Sequence, residues 1–289
     1  MIKDIQAKVM LNHLPQPDTW FGLKYSMNLY RGCQHQCIYC DSRSACSQIE
    51  NFRDILVKTN AIDLLTAELA RKRIKGTIGT GSMNDPYMPI EKKRELTRQA
   101  LEVIAEQRFP VHVLTKSDLV LRDLEILRRI SQVYAAVSFT ITTADDVLGK
   151  KLEPGASLVS HRLRAMKTLV EAGIYSGVLM MPILPFLEDN EENITQIVKL
   201  AHAHGASYII PAIGMTLRAG SRDYYYEKLD RLFPGVREKY ESKFGYRYQI
   251  SANNAHELER LFRDLCDQYG IATRITPFKP VLGKQLDLW

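Results

Sequence analysis

The sequence contains few cysteines and no long hydrophobic run, and each scarcity excludes a class of protein. Five cysteines in 289 residues are too few, and odd in number, for a disulfide framework. The most apolar stretch, residues 175–187, is shorter than a membrane span and contains Pro182 and Pro185, so we expect no transmembrane helix. No secretory leader is recognised. These observations predict a protein of the reducing cytoplasm that does not enter a membrane.

A strong charge excess is also missing, since the net charge is +6. A small positive excess is compatible with an acidic partner but is weak evidence for nucleic acid. With 45% hydrophobic and 25% charged residues, the chain can bury a large core as one barrel-sized α/β domain or as two smaller domains.

Three cysteines near the front of the chain form the main motif. Cys33, Cys37 and Cys40 follow the spacing Cys-x3-Cys-x2-Cys. Three thiolates on a tight loop can hold three corners of an iron–sulfur cube and leave one iron open, whereas a closed zinc site needs a fourth protein ligand. The alternative is therefore a zinc site completed by Cys46, His35 or a distant residue, although zinc loops usually pair cysteines as Cys-x2–4-Cys.

Short β-rich runs alternate with longer helical patterns after the cysteine motif, which is typical of an α/β fold with a parallel sheet. The predicted strands are 25–30, 77–80, 111–115, 135–141, 174–181 and 207–212. The predicted helices between them are 61–73, 91–107, 121–130, 158–172 and 193–204. Beyond residue 217 the pattern becomes helical, aromatic and charged, without clear strand alternation. Right-handed crossovers between six strands would give a partial barrel whose functional groups lie at the carboxyl ends of the strands.

The cysteine motif, with Tyr39 directly before its last cysteine, resembles the cluster loop of the radical S-adenosylmethionine (SAM) superfamily. That resemblance implies a partial (β/α)6 barrel and a [4Fe–4S] cluster on the three cysteines. It also implies that SAM binds the open iron and is cleaved reductively to a 5′-deoxyadenosyl radical, with electrons from a donor such as flavodoxin or ferredoxin. We expect an N-terminal extension at 1–24, the barrel at 25–215, a mostly helical C-terminal cap at 216–284 and a tail at 285–289.

Further segments resemble spore photoproduct lyase and the DNA repair photolyase-like proteins around it. They are 28–43, 79–87, 111–117, and 152–155 with the helix 162–173 behind it. The resemblance implies that Lys116 binds SAM, where its cation would hold the methionine carboxylate. It likewise implies that Tyr39 packs on the adenine.

Other candidate cofactor contacts follow from the same comparison. Thr140 matches a hydroxyl residue near SAM, Ser138 shares its face of the strand, and Thr142 is an equal candidate. Asp85 would bond a SAM amine or ribose or accept a proton, or it would simply begin an Asp-Pro turn. Glu153 is expected to pair with Arg162 or with Arg164, either as a structural pair or to orient SAM.

The sequence departs from the lyase at one position. Ser82 stands where the lyase has the cysteine that donates a hydrogen atom to the product radical, and a serine O–H bond is too strong for that role. The lyase reaction would then need Cys46, Cys266 or a tyrosine as donor. Cys266 lies in a predicted amphipathic helix, 257–269, and is expected in the core.

Two segments indicate a nucleic-acid partner. The tail from Gln285 to Trp289 resembles the short peptide with which repair proteins dock on the bacterial DNA sliding clamp, although it could also pack on its own domain. Residues 217–248 interleave cations with aromatics, a pattern that suits nucleic acid and also suits a solvated helical cap.

The leading prediction is a radical SAM enzyme that acts on DNA. RNA or a peptide is the alternative substrate, and a non-catalytic metal-bound nucleic-acid adaptor is the alternative of another class.

Overall fold

The structure is a computed structural model that describes residues 1–44 and 51–280. Its strands are β1 (Ile2–Ile5), β2 (Leu11–His13), β3 (Leu23–Met27), β4 (Tyr30–Arg31), β5 (Ile55–Lys58), β6 (Thr77–Thr80), β7 (Val111–Thr115), β8 (Ala135–Thr140), β9 (Tyr175–Met180), β10 (Ile209–Pro211), β11 (Gly214–Thr216) and β12 (Gln249–Ser251). Its helices are α1 (Ala61–Ala70), α2 (Glu91–Arg94), α3 (Leu96–Glu106), α4 (Leu124–Ser131), α5 (Asp146–Leu152), α6 (Val159–Glu171), α7 (Glu191–Ala203), α8 (Ser221–Leu232), α9 (Val236–Phe244) and α10 (Ala255–Tyr269).

The main sheet has the order β10-β9-β8-β7-β6-β3-β2. Every pair from β3 to β10 is parallel, and only β2 runs antiparallel, at the edge beside β3. One face of the central strands packs into the large apolar core beneath the helices, through residues such as Val113 and Phe139. The opposite face carries the polar residues His112 and Ser138 into the barrel interior, as the two-residue period of a strand requires. The predicted α/β partial barrel is confirmed.

Three local features differ from the sequence prediction. The helix expected over 91–107 is split at Glu95, which has a φ of +51°. The buried Glu91 carboxylate accepts a hydrogen bond from the Thr97 N–H, 3.0 Å away, and so starts a second helix. α5 was not predicted because it is short; the Asp145 side chain caps it by accepting from the Val147 N–H at 2.7 Å. Beyond residue 217 the chain is mostly helical, as expected, and it adds one short strand, β12, which pairs with β11.

Two smaller layers surround the barrel. A second sheet, β1-β5-β4, joins the N-terminal residues to the cysteine loop side of the barrel. At the other end of the chain, α10 packs on α7, with the rings of His202 and Tyr269 4.7 Å apart. α8, α9 and β11–β12 instead pack an aromatic cluster against Cys37, Ile38 and Tyr39. The C-terminal region therefore covers the cysteine loop with one part and a barrel helix with the other.

Candidate functional site

The three motif cysteines line one small cavity at the carboxyl end of the barrel strands. Cys33 and Cys37 are buried and Cys40 is half-buried, and the cavity has a volume of about 110 Å³. The loop enters this position through Gly32, whose φ is +76° and where a Cβ would lie 2.2 Å from the Asp54 carbonyl oxygen. Only glycine fits such a backbone.

The thiols are placed where they need a positive partner to ionise. Burial raises the pKa of the Cys33 thiol to about 12 and raises the pKa of Cys37 well above its ordinary value. Thiolates are the metal-binding form, so bound iron would supply the charge that burial removes. Three thiols around one cavity thus suit the three-cysteine ligand set of a [4Fe–4S] cluster.

His35, a fourth ligand in the zinc interpretation, faces a carboxylate instead. Its Nδ1 lies 3.3 Å from Asp85 Oδ2, and both side chains are buried. Cys46, the other named ligand, lies outside the described residues. Among the described residues of the loop, the three cysteines are therefore the thiols that line the cavity, and His35 faces Asp85.

Asp85 ties together the ends of two barrel strands. Its carboxylate accepts hydrogen bonds from Thr115 Oγ1 at 2.8 Å, the Lys116 N–H at 2.6 Å and the Tyr87 N–H at 2.8 Å. Burial alone would raise its pKa, but His35 and these hydrogen bonds outweigh burial and lower the pKa of Asp85 to about 2. The side chain lines the cavity as a fixed anion that also holds the strand ends in place.

Lys116 provides the positive charge of the cavity. Burial alone would lower its pKa, but the neighbouring Cys37, Glu153 and Asp85 outweigh burial and raise it. Its Nζ lies 6.0 Å from the centroid of the Tyr39 ring. A cation held here can bind a carboxylate strongly.

Glu153 lies behind the cavity and holds the cysteine loop rather than lining the cavity wall. Tyr39 donates its hydroxyl hydrogen bond to Glu153, and Glu153 forms a buried ion pair with Arg162. Arg162 also donates to the Thr140 and Ser157 carbonyl oxygens, each at 2.8 Å. Arg162, not Arg164, is thus the partner of Glu153, and the pair supports both Tyr39 and the end of β8.

The three hydroxyl candidates lie at different places. Thr140 lines the cavity, whereas Thr142 Oγ1 donates to Glu188 at 2.6 Å. Ser138 lies deeper in the barrel, where its Oγ is 2.7 Å from both His112 Nε2 and the Tyr208 hydroxyl. Thr140 is the hydroxyl candidate that the fold brings to the cysteines.

Residues after β6 complete the wall. Ser82, Met83, Asn84 and Asp85 all line the cavity, as expected for a loop at the carboxyl end of a strand. Sequence reasoning missed the part played by His35, whose place between two cysteine ligands was the available signal. Cys266 is buried in α10 and is absent from the cavity wall.

The remaining predicted segments have mixed outcomes. Cys46 and the tail 285–289 lie outside the described residues. Most cations of 217–248 are engaged: Arg218 pairs with Asp41 at 2.9 Å and Arg237 with Asp230 at 2.9 Å, while Arg222 donates to main-chain carbonyls. This pairing favours the helical cap. Among the described residues, no helix is both long and apolar enough to span a bilayer.

Comparison with known proteins gives one consistent result. The family model described as "Radical SAM superfamily" matches residues 27–201. An uncharacterized protein of Methanocaldococcus jannaschii is 38% identical over 190 residues, which cover 65% of this chain and 69% of the relative. A radical SAM Nalpha-GlyT isomerase of Pseudomonas phage M6 is 24% identical over 178 residues, 62% of this chain and 36% of the phage protein.

A solved structure of similar fold is that of a spore photoproduct lyase mutant with bound AdoMet and dinucleoside spore photoproduct. Its TM-score is 0.69 at 17% identity, with 95% of this chain and 82% of that chain covered.

Proposed function

This chain belongs to the radical SAM superfamily, and we propose that it acts on DNA in a repair-like reaction. It is an enzyme whose cofactors are a [4Fe–4S] cluster and SAM. A reduced cluster and SAM held by this chain would supply a 5′-deoxyadenosyl radical. The single observation that carries the assignment of the site is the convergence of Cys33, Cys37 and Cys40 on one cavity.

The residues of this chain would divide the work of holding the cofactors. Cys33, Cys37 and Cys40 bind the cluster. Lys116 holds the carboxylate of SAM, and Thr140 contributes a hydroxyl on the same wall. These roles are supported by burial and by the charge balance of the cavity.

Two further residues act by positioning. Asp85 fixes the ends of β6 and β7 through three hydrogen bonds. Glu153 accepts the Tyr39 hydroxyl hydrogen bond and so fixes this ring beside the cysteine loop. Tyr39 does not line the cavity and packs in the aromatic cluster of the C-terminal region. Both carboxylates have their lone pairs largely occupied within the protein.

The proposal of a DNA substrate rests on similarity to named proteins. The phage relative is named for a GlyT isomerase activity, and the lyase structure contains a dinucleoside photoproduct. Ser82, which the sequence resemblance aligns with the donor cysteine of the lyase, lines the cavity. We therefore propose a reaction on a damaged or modified base that does not need a thiol at this position.

The first test measures cofactor chemistry. The protein is purified anaerobically, reconstituted with iron and sulfide, and assayed for 5′-deoxyadenosine formed from SAM with dithionite. Cys37→Ala should abolish both visible iron–sulfur absorbance and product. Cys266→Ala, which replaces a buried thiol in α10, is the matched control and should retain both. Full activity of Cys37→Ala would contradict the assigned ligand set.

A second test addresses the substrate. Ultraviolet-irradiated DNA should increase the rate of 5′-deoxyadenosine formation over the same oligonucleotide without irradiation. Stimulation by RNA or by a peptide pool, with none by any DNA, would refute the DNA proposal while leaving the cofactor chemistry intact.

A further inference from the structure

A second, larger groove adjoins the cluster cavity on the N-terminal side of the barrel. It lies between the β1–β2 connection and the β4–β5 pair, and its volume is about 610 Å³. Met83 and Asn84 line both this groove and the cluster cavity. A molecule lying in the groove therefore reaches the wall of the radical site.

The charge of the groove has one sign. Lys8, Arg31 and Lys58 line it, and its lining contains no carboxylate. Within the part of the chain that the structure describes, the side chains of Lys8 and Arg31 are exposed and form no hydrogen bond or ion pair. Lys58 Nζ donates to the Asn28 carbonyl oxygen at 2.6 Å. Burial, and secondarily the charge of Arg31, lower the pKa of Lys58. No carboxylate of the groove lining neutralises this group of cations.

The groove also contains a polar side chain without a hydrogen-bond partner. The side-chain oxygen of Asn28 is buried and has no hydrogen-bond partner, and Asn28 lines the groove. An unsatisfied buried polar atom is costly unless a ligand or water completes it. At the junction with the cavity, Met83 is 41% exposed and offers an apolar surface beside the cations.

The wall of the groove is preformed. Asn60 at the start of α1 holds Ala7 through two hydrogen bonds of 2.8 and 2.9 Å. The Glu68 carboxylate accepts from the Met10 and Leu11 N–H groups at 2.8 and 2.9 Å. The connection that carries Lys8 is therefore fixed to a barrel helix, which reduces the ordering cost of binding.

We propose that this groove binds the phosphodiester backbone of a DNA strand and directs one of its bases past Met83 into the cluster cavity. The proposal rests on the DNA function proposed above and names the surface that would serve it. Several cations in a lining without carboxylates suit a chain of phosphates. A base must leave its stack to reach an enclosed site, and the apolar Met83 edge at the junction suits the face of such a base. The paired cations of 217–248 suit this role less well.

The test compares DNA binding by two matched double variants. Lys8→Glu with Lys58→Gln removes two groove cations, and glutamine at 58 can still donate to the Asn28 carbonyl. Lys150→Gln with Lys199→Glu makes the same charge change at exposed positions on α5 and α7, away from the groove. Binding of fluorescein-labelled single-stranded and duplex DNA is measured by anisotropy over a range of salt concentrations, with cluster absorbance as the control for folding.

We expect the groove variant to bind single-stranded DNA about tenfold more weakly or worse at low salt. Its negative slope of log affinity against log salt concentration should become less steep by about 1.4, because two phosphate contacts on a single strand are lost. The control variant should match the wild type. Wild-type affinity and salt slope in the groove variant, or equal weakening in both variants, would overturn the proposal that DNA binds in this groove. Neither result would contradict DNA-stimulated SAM cleavage.

Competition identifies the occupant. Excess unlabelled DNA should displace the probe, and poly-glutamate at the same charge concentration should not. Equal displacement by poly-glutamate would overturn the assignment to a phosphodiester chain in favour of any acidic polymer. Absence of both DNA binding and DNA-stimulated cleavage in the wild type would instead overturn the proposed function itself.

Discussion

Replacement of Arg162 should destabilise the fold far more than replacement of an exposed arginine. The side chain is 1% exposed and donates to the carbonyl oxygens of Thr140 and Ser157 as well as to Glu153. Arg162→Met would leave the buried Glu153 carboxylate without its ion-pair partner and would remove two hydrogen bonds to main-chain carbonyls. Breaking a buried ion pair on one side costs about 3–5 kcal/mol, a large share of a typical stability of about 5–15 kcal/mol.

Two companion variants separate charge from hydrogen bonding. Arg162→Lys keeps a cation for Glu153 but cannot donate to both carbonyls, so we expect a loss of about 1–3 kcal/mol. Arg164→Met removes an exposed arginine from the same helix and should stay within about 0.5 kcal/mol of the wild type.

Urea denaturation followed by circular dichroism measures these free energies of unfolding. Wild type and variants are compared in the metal-free form, because a bound cofactor breaks two-state behaviour. A cost below about 1 kcal/mol for Arg162→Met, or an equal cost for Arg164→Met, would refute the reasoning about the buried pair.

Three further predictions address acid stability, the cysteine loop and the tail. Burial lowers the pKa of His112 from 6.5 to about 3. Because only the unfolded state gains a proton between these values, His112 by itself should lower the stability by about 2 kcal/mol between pH 7 and pH 5. The wild type should therefore lose more stability, or gain less, over this interval than His112→Gln in the same denaturation assay, and equal changes in the two proteins would contradict the prediction. A Cβ at Gly155 would lie 2.2 Å from the Gln34 carbonyl oxygen, so Gly155→Ala should at least halve the iron content, whereas Gly149→Ala, which meets a valine methyl at 3.0 Å, should not. Deletion of 285–289 should abolish co-elution with purified sliding clamp; unchanged co-elution would disprove the tail prediction.

Local patterns predicted the barrel and its cysteine loop well. The strand containing His112 and the lysine at its end follow from apolar runs and from the rule that strand ends carry function. Alternation gives the face of a strand residue but not its depth along the barrel axis, which is why Ser138 shares a face with Thr140 and yet lies below the cavity. The sequence could have identified Arg162 rather than Arg164 as the partner of Glu153. The apolar residues of this helix define a buried face that includes position 162, namely Val159, Leu163, Met166 and Leu169.

The groove could not be predicted in the same way. Lys8, Arg31 and Lys58 lie more than twenty residues apart in sequence, and only the pairing of β5 with both β1 and β4 brings them together. No local pattern records such a tertiary arrangement. The splitting of the predicted helix at Glu95 likewise depends on a buried carboxylate whose partners Tyr30 and Arg122 are distant in sequence.

The aromatic cover over the cysteine loop sets an order of events during synthesis. Cys37 and Tyr39 pack against residues of α8 and α9, and the Arg43 guanidinium lies 3.8 Å from the centroid of the Tyr224 ring. These covering residues leave the ribosome after the barrel strands, because α8 and α9 follow β10 in the chain. About 30 residues separate the end of β10 from the end of α9, so at 5–20 residues per second the thiols stay uncovered for roughly 2–7 s. Cluster loading during synthesis would have this interval in which to reach the loop from the side that the finished protein closes.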